Sequence, residues 1–415
     1  MKMRIVSRSW ISLSVALAAM CVFNACRGAG SVSASGTQSD SLMLSDTLSA
    51  LDVGLRLQHA GGRDTGHFCL SPLSIRQALG LVAAGARGES LKLLKLVADS
   101  SALDGQDSDA SKNGNSGSED DAYTQELNKA KLQLRVANAA WVDTKFPISK
   151  SYANRVQERF RATVESLPLA TDAQLSSDRI NGWVKDKTEG LITELVTPGI
   201  LVPGTELVLT NAVYFKSAWA KPFDKDRTLA EDFHSVSGDV KIPMMHGKVD
   251  GGVIRRDGLQ ALVIPYAHPE YGMMIVMPDS VGTPLTEISA KGIEALYRDM
   301  DWLDVNVSLP RFKFTSKLSL RDAMQRLGLS SLFDGRADFS AMSDKPTDLC
   351  IGDVLHSVLM DVQEEGTEAA AATAVTMVRM ALRPEVEFKV DRPFLYIVFK
   401  STPAQAIFVG GYDPR

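Results

Sequence analysis

The chain has 415 residues, of which 45% are hydrophobic, and its 45 basic and 50 acidic side chains leave a formal net charge of −5. A chain of this length and composition can bury one large core or two smaller ones, as folded proteins do. The basic residues are scattered over a slightly acidic chain, which argues against a nucleic-acid partner.

The amino terminus has the features of an export signal, and we predict a removable signal peptide over residues 1–25. Lys2, Arg4 and Arg8 form a positive region, and the apolar stretch 11–23 is too short for an ordinary transmembrane helix. Residues 26–41 are rich in Gly, Ser and Ala, which indicates a flexible tether. The folded domain is therefore expected over residues 42–415.

The segment Phe23-Asn24-Ala25-Cys26 resembles a bacterial lipobox, in which the cysteine becomes a lipidated amino terminus. Phe23 stands where leucine is usual, and ordinary signal cleavage with an incidental Cys26 is the alternative. The resemblance implies an exported lipoprotein of the bacterial cell envelope. Its lipid would anchor it in the outer membrane on the periplasmic or the surface face, and extracellular release is the alternative.

Helical spacing of apolar residues predicts a first helix over Ser45–His59. The short apolar run His67–Leu70 leads into Ser71, and Pro72 suits the first turn of a second helix. Residues 99–121 are mostly Ser, Asp, Gly and Asn with almost nothing apolar, and are predicted to form a disordered acidic insertion.

Alternating apolar residues predict a strand over Gln133–Thr144, and Leu207–Tyr214 is predicted to form another. Both are expected in the main sheet. Leu262–Tyr266 and Met273–Pro278 are predicted to form a pair of strands. Asn306–Phe314 is predicted to form one further strand.

The chain has no motif of an ordinary enzyme active site. It contains no Gly-x-Ser-x-Gly, no His-Glu-x-x-His, no phosphate-binding loop and no dinucleotide-type glycine pattern. Its six histidines lie far apart, without the spacing of metal ligands. We therefore expect a protein that is not an enzyme and needs no metal or cofactor. Cys69 and Cys350 belong to no recognised motif, and their state stays open.

Residues 364–375 read Glu-Glu-Gly-Thr-Glu-Ala-Ala-Ala-Ala-Thr-Ala-Val, and two structures fit them. The alanines and the acidic start favour a helix capped by Thr367. Alternate residues from Thr367 to Val375 would instead form the uncharged face of a strand. Such a segment would be mobile in one state and a buried strand in another.

Context decides between the two structures, because this stretch resembles the reactive-loop hinge of inhibitory serpins. Other serpin-like motifs follow in the family's order from about Leu51 to Gly411. They are Leu70-Ser71-Pro72-Leu73-Ser74-Ile75, Gly85-Ala86-Arg87-Gly88, Val136-Ala137-Asn138-Ala139, Ile180-Asn181-Gly182-Trp183-Val184, Leu209-Thr210-Asn211-Ala212-Val213-Tyr214-Phe215-Lys216, Trp219-Ala220-Lys221-Pro222-Phe223, Leu309-Pro310-Arg311-Phe312, Ala337-Asp338-Phe339-Ser340 and Asp391-Arg392-Pro393-Phe394. The resemblance implies an α+β serpin fold with three β-sheets, eight or nine helices and an exposed reactive-centre loop over about 364–384.

The resemblance also assigns roles to individual residues. The hinge comprises Glu364, Glu365, Gly366, Thr367, Glu368, Ala369, Ala370, Ala371, Ala372 and Thr373. The resemblance places Ser71, Ser74, Asn211 and His356 where the strands of the main sheet separate. It places Trp219 near the top of that sheet and Arg311 beside the start of the hinge. We predict an ion pair between Arg311 and Glu364. Without the resemblance, Ser71 would be a helix cap, Trp219 a core aromatic and Arg311 half of a solvated pair.

Two counts locate the bond that a protease would attack. The serpin hinge glycine precedes the scissile residue by fourteen positions, which leads from Gly366 to Met380, and the strand-entry proline follows it by four, which leads back from Pro384 to Met380. Met380-Ala381 is the predicted bond, with Arg379 as the alternative. Methionine suits elastase-like and chymotrypsin-like pockets, and Arg379 suits a trypsin-like one.

The resemblance implies a suicide-substrate inhibitor of serine proteases that traps the acyl-enzyme by inserting its cleaved loop into the main sheet. Cysteine proteases are additional targets to consider. The inward hinge face carries neither charge nor proline, which disfavours the alternative of a non-inhibitory serpin acting as a binding or carrier protein. The acidic insertion disfavours activation by heparin-type polysaccharides, and we expect a monomer.

Overall fold

The structure is a computed structural model that describes residues 49–61, 66–98, 132–345, 348–367 and 385–414. The predictions for residues 1–41, including Cys26, and for the insertion 99–121 concern residues outside the described ranges. Within the described part, seven α-helices occur: α1 Ala50–Ala60, α2 Pro72–Ala83, α3 Gly88–Val97, α4 Lys150–Phe160, α5 Ala173–Lys187, α6 Ala290–Arg298 and α7 Arg321–Met324. None of these helices combines the length and apolar character needed to cross a membrane.

Short polar side chains determine where several helices begin. Ser49 accepts a hydrogen bond from the Asp52 amide at the start of α1, and Ser71 accepts one from the Ser74 amide at the start of α2. Pro72 is the first residue of α2, where its missing N–H costs nothing. The first helix was predicted over Ser45–His59. It begins at Ala50, with Ser49 as its cap, and ends at Ala60, one residue beyond the predicted end.

Fifteen strands are present in the described ranges. They are β1 Phe68–Leu70, β2 Gln133–Asp143, β3 Thr163–Leu167, β4 Leu207–Ala218, β5 Leu229–Ser235, β6 Gly238–Arg256, β7 Leu259–Pro265, β8 Tyr271–Pro278, β9 Asp301–Pro310, β10 Phe312–Ser319, β11 Ile351–Gln363, β12 Gly366–Thr367, β13 Glu385–Lys389, β14 Phe394–Lys400 and β15 Thr402–Tyr412.

Hydrogen bonding joins these strands into two networks. The larger has the order β1-β15-β14-β8-β7-β6-β9-β13, with β5 paired to β6, and the smaller has the order β10-β11-β12-β4-β2-β3. The 19-residue strand β6 pairs with β5, β9 and β7 along successive parts of its length. This one strand connects the two halves of the nine-stranded network, in an α+β fold.

The prediction of a single strand over Asn306–Phe314 is wrong. The chain leaves β9 at Pro310 and enters β10 at Phe312, and these strands belong to different sheets. Arg311 lies between them, and its amide donates to the Pro243 carbonyl. Apolar residues alternate on both sides of Arg311, which favours one strand, but the buried positions shift by one residue where Leu309 and Pro310 are both buried.

The six-stranded sheet is covered on both faces. On one side, Trp141 and Val208 pack with Ile180 and Trp183 of α5, and the Trp141 and Trp183 rings meet edge to face at 5.6 Å. On the other side, Val358 of β11 belongs to a cluster shared with the nine-stranded sheet. A strand added to this sheet therefore becomes buried on both faces.

Candidate functional site

The hinge begins as a strand inside the six-stranded sheet. Strand β12 pairs antiparallel with β11, where Thr367 lies opposite Val362, and with β4, where Thr367 lies opposite Ser217. Further along, β11 and β4 pair directly with each other in parallel, from Ile351 opposite Leu207 to Val358 opposite Val213. The hinge thus occupies the end of the sheet at which these two strands diverge.

Gly366 has a backbone that only glycine adopts comfortably there. Its φ is +153°, and a Cβ would overlap the Ser217 carbonyl oxygen and lie 2.6 Å from the Ala218 Cα. The neighbouring strand therefore approaches the hinge closely at this residue.

Thr367 is fully buried, and its side chain contacts one of two stacked aromatic rings. Its Oγ1 lies 2.7 Å from the Tyr266 hydroxyl oxygen. The Tyr266 ring is stacked on Trp219 with centroids 4.6 Å apart, and the Trp219 indole N–H donates to the Gln363 carbonyl at 3.0 Å. Burial raises the pKa of Tyr266, so its hydroxyl stays protonated. The stack supports the Thr367 side chain and also holds the last residue of β11.

The backbone of the two hinge glutamates is held by the segment that follows β4. The Trp219 amide donates to the Glu365 carbonyl at 3.0 Å, and the Phe223 amide donates to the Glu364 carbonyl at 2.7 Å. The Lys225 ammonium lies 2.5 Å from Glu365 Oε1 at the surface. The entry to the loop is thereby tied to the 219–225 segment.

Glu364 is a buried carboxylate with two partners. It is 3% exposed, and its Oε1 accepts hydrogen bonds from Thr228 Oγ1 at 2.6 Å and from Arg311 Nη1 at 3.4 Å. The Arg311 side chain is 53% exposed. Burial raises the pKa of Glu364, but the bonds from Thr228 and Arg311 outweigh that effect and leave its pKa below the ordinary value. The structure thus places the two side chains of the predicted pair in contact.

A cluster of polar side chains lies where β11 and β4 pair directly. His356 of β11 is the register partner of Asn211 of β4, and the imidazole Nδ1 lies 2.5 Å from Asn211 Oδ1. The Asn211 amide donates to Ser74 and to Asn138, and the Ser71 amide donates to His356 Nε2 at 2.9 Å. Any strand that passes between β11 and β4 must break the contact between His356 and Asn211.

The hydrogen bonds determine the proton position on His356. Nε2 accepts from a backbone N–H, so the neutral ring carries its proton on Nδ1 and donates to Asn211. Burial lowers the pKa of His356 to about 3, which keeps the ring neutral. The cluster is therefore assembled around an uncharged imidazole.

Part of the predicted site lies outside the described residues. This applies to Glu368, Ala369, Ala370, Ala371, Ala372, Thr373, Arg379, Met380 and Ala381. Among the residues that are described, Tyr266, Thr228 and Lys225 contact the hinge but carry no local sequence signal for that role. Asn138 was visible only as part of a serpin-like motif.

The described residues contain no group of three or more His, Cys, Asp or Glu side chains arranged to hold a metal ion. Cys69 and Cys350 are free thiols. Burial raises the pKa of Cys69 to about 12, and raises that of Cys350 to about 11 with help from Glu206, so both stay protonated.

Comparisons with known proteins cover almost all of the described chain. The model of the family described as Serpin (serine protease inhibitor) matches residues 50–414. The protein Iris of Ixodes ricinus is 32% identical over 375 residues, which cover 87% of this chain and 96% of Iris. The leukocyte elastase inhibitor of Sus scrofa is 31% identical over 386 residues, covering 89% of this chain and 98% of that protein.

Solved structures agree with the sequence relatives. The crystal structure of native protease nexin-1 with heparin has a TM-score of 0.72 and 25% identity, covering 88% of this chain and 98% of that one. The native thermophilic serpin tengpin has the same TM-score at 24% identity and shares the fold. The hinge geometry, the family match and these relatives lead to one conclusion: this chain belongs to the serpin family.

Proposed function

We propose that this serpin inhibits serine proteases as a suicide substrate. The proposal rests on the position of the hinge in the sheet. Gly366 and Thr367 already pair with β11 on one side and with β4 on the other, as the first residues of a strand between them. The residues after Thr367 would extend that strand once the loop is cut. The first inserted side chain is small, uncharged and fully buried, as insertion requires.

The chemistry starts at the predicted bond. The protease serine attacks the carbonyl carbon of Met380, the amine of Ala381 leaves with a proton, and an acyl-enzyme remains. Insertion then carries the attached protease away from the loop's other end. Distortion that removes one oxyanion donor slows deacylation by about a hundredfold or more.

Burial of the inserted side chains must supply the free energy that drives loop insertion. Each added ladder hydrogen bond contributes about 0.5–1.5 kcal/mol, and ordering each residue costs about 1–2 kcal/mol, so these terms nearly cancel. Apolar clusters cover the six-stranded sheet on both faces, and they offer apolar surface to an inserted strand. Alanines and threonines at alternate hinge positions suit that space.

The target class follows from the loop and the relatives. Met380 suits elastase-like and chymotrypsin-like pockets, and Arg379 would suit trypsin-like ones. Relatives named leukocyte elastase inhibitor in Sus scrofa and Xenopus tropicalis support the elastase-like assignment. Cysteine proteases are proposed as secondary targets.

The test is to incubate the soluble domain from Leu42 onward with elastase, chymotrypsin and trypsin in separate reactions. A complex that survives denaturing electrophoresis, with a carboxy-terminal peptide starting at Ala381, supports the mechanism and the bond. A peptide starting at Met380 moves the bond to Arg379. Cleavage by every protease without a complex would contradict inhibition and favour the carrier alternative.

We also propose export and lipid anchoring through Cys26, with the folded domain acting as a monomer in the envelope or outside it. The signal-like residues 1–25 and the lipobox-like sequence support this proposal. Labelling of the full-length protein with a radioactive fatty acid should be lost in Cys26→Ala. Persistent labelling in that variant would contradict anchoring through Cys26, and sedimentation equilibrium of the soluble domain tests the monomer.

We propose that heparin does not activate this serpin, since residues 99–121 are acidic. The inhibition rate measured with and without heparin tests this. An increase of tenfold or more would contradict the proposal.

A further inference from the structure

Away from the hinge, polar side chains form a row across the nine-stranded sheet. Ser308 of β9 is the register partner of His246 on β6 and of Lys389 on β13. Direct partners in neighbouring strands point to the same face. Glu231 of β5 completes the row. Nothing in loop insertion uses these four side chains.

The row is a continuous chain of hydrogen bonds. Ser308 Oγ lies 3.1 Å from His246 Nδ1, and His246 Nε2 lies 2.7 Å from Glu231 Oε1. The other oxygen of Glu231 lies 2.8 Å from the Lys389 ammonium. A serine, an imidazole and a carboxylate thus meet in the order found in nucleophilic hydrolases.

The partners determine which way the protons point. The bond from Lys389 lowers the pKa of Glu231, with a smaller contribution from His246, so this carboxylate is ionised and can only accept. The neutral imidazole therefore carries its proton on Nε2 and turns the Nδ1 lone pair toward the Ser308 hydroxyl. This is the arrangement that removes a proton from an attacking serine.

The serine faces space that a small substrate can enter. A cavity of about 320 Å³ is lined by Ser308, His246, Asn306, Arg227 and Lys389, among others. Ser308 and His246 are each partly exposed, so both can be reached from solvent. Glu387 also lines the cavity, and Lys389 is paired with Glu231, so Arg227 is the lining cation that can supply positive charge for an oxygen that becomes negative during attack.

We propose that Ser308 is a nucleophile toward small activated esters, with His246 as its general base and Glu231 as the residue that positions His246. The bond between Ser308 Oγ and the acyl carbon forms, the ester C–O bond breaks, and the serine proton passes through His246 to the leaving alcohol. Water then repeats the attack and releases the carboxylic acid. No local motif reveals this group, because Glu231, His246 and Ser308 are distant in sequence.

An alkyl fluorophosphonate tests the nucleophile directly in the full folded domain. Ser308 Oγ bonds to phosphorus and fluoride leaves with the serine proton. The expected result is one adduct per chain, mapped to Ser308 by peptide mass spectrometry and absent in Ser308→Ala. His246→Ala should lower the labelling rate by about a hundredfold or more. Glu231→Gln should lower it less, with partial recovery in Glu231→Asp.

A matched control is available on the same sheet. His234 of β5 also contacts a carboxylate, with its Nδ1 lying 2.8 Å from Asp239, so His234→Ala should label like the parent chain. Thermal melting checks that each variant is folded, and the adduct position in the parent chain needs no variant. An adduct at another residue, no adduct, or an unchanged rate in His246→Ala would overturn the proposal. The assay contains no protease, so its result is separate from that for inhibition.

Discussion

The hydroxyl groups of Tyr266 and Thr367 lie 2.7 Å apart in the protein interior, which links the residue after β7 to the hinge strand β12. Tyr266→Phe removes one partner and leaves the Thr367 hydroxyl buried and unpaired, at a cost of about 1–3 kcal/mol. We expect amide hydrogen exchange at residues 363–367 to accelerate by about fivefold to a hundredfold. Mass-spectrometric exchange measures this.

Tyr297→Phe provides the control for that variant. The Tyr297 hydroxyl donates to the Ser401 carbonyl at 3.3 Å, and neither residue belongs to the hinge. Exchange at residues 363–367 should not change in this variant. Equal acceleration in both variants would show that the contact of Tyr266 with Thr367 does not hold the hinge.

Thr367→Arg should convert the inhibitor into a substrate. Thr367 is fully buried between two strands, so an arginine there must either leave the sheet or bury a charge. We expect cleavage at the reactive bond with loss of the detergent-stable protease complex on denaturing gels. Thr367→Ala should keep the complex, and continued complex formation by Thr367→Arg would refute the insertion mechanism.

Removing Arg311 and removing Glu364 should change the free energy of unfolding by different amounts. Arg311 is about half exposed, so Arg311→Ala should lower the free energy of unfolding by no more than about 1 kcal/mol. Glu364→Ala also removes the acceptor of the Thr228 hydroxyl. It should lower the free energy of unfolding by more, about 1–3 kcal/mol. Urea unfolding of both single variants and the double variant measures the coupling. Equal effects of the two single variants would contradict this account.

The buried imidazole of His356 should make stability fall in mild acid. Its folded-state pKa of about 3 lies below its ordinary value of 6.5, so the unfolded chain binds the proton first as the pH falls. The stabilisation is complete above about pH 6.5 and decreases below it by up to about 1.4 kcal/mol per pH unit, until the folded protein itself is protonated near pH 3. Urea midpoints between pH 6.5 and 5 measure this slope.

His356→Gln removes the titrating group and should flatten that slope, although the variant itself is less stable. Carboxyl groups titrate mostly below this pH range, so they contribute little to the comparison. If the parent chain and the variant lose stability in parallel, His356 is not the group responsible.

Strands β2 and β4 were predictable from their apolar residues, although β4 is buried at every residue from Leu207 to Phe215 and shows no alternation there. Alternation over 133–144 and the strand-like segment 207–214 predict β2 and β4, and both lie in the six-stranded sheet as expected. The change of sheet at Arg311 was not predicted because apolar residues alternate on both sides of it, although the buried positions shift by one residue at Leu309 and Pro310. A period of two residues reports burial and does not report which sheet a strand joins.

The contacts around the hinge show the same limit. The bond between Tyr266 and Thr367 joins residues 101 positions apart, and that between Thr228 and Glu364 spans 136. No local pattern encodes such distances. Glu364 and Arg311 were paired in advance only because the serpin resemblance supplied both positions.

The two ends of the reactive loop enter different sheets, since β12 lies in the six-stranded sheet and β13 pairs with β9 in the nine-stranded one. A cut between them leaves β13, β14 and β15 on a separate short polypeptide. Phe394, Tyr396 and Phe408 of that piece are fully buried in the shared core. The cleaved molecule is therefore expected to remain a noncovalent heterodimer of its own fragments, and only denaturation would separate the two.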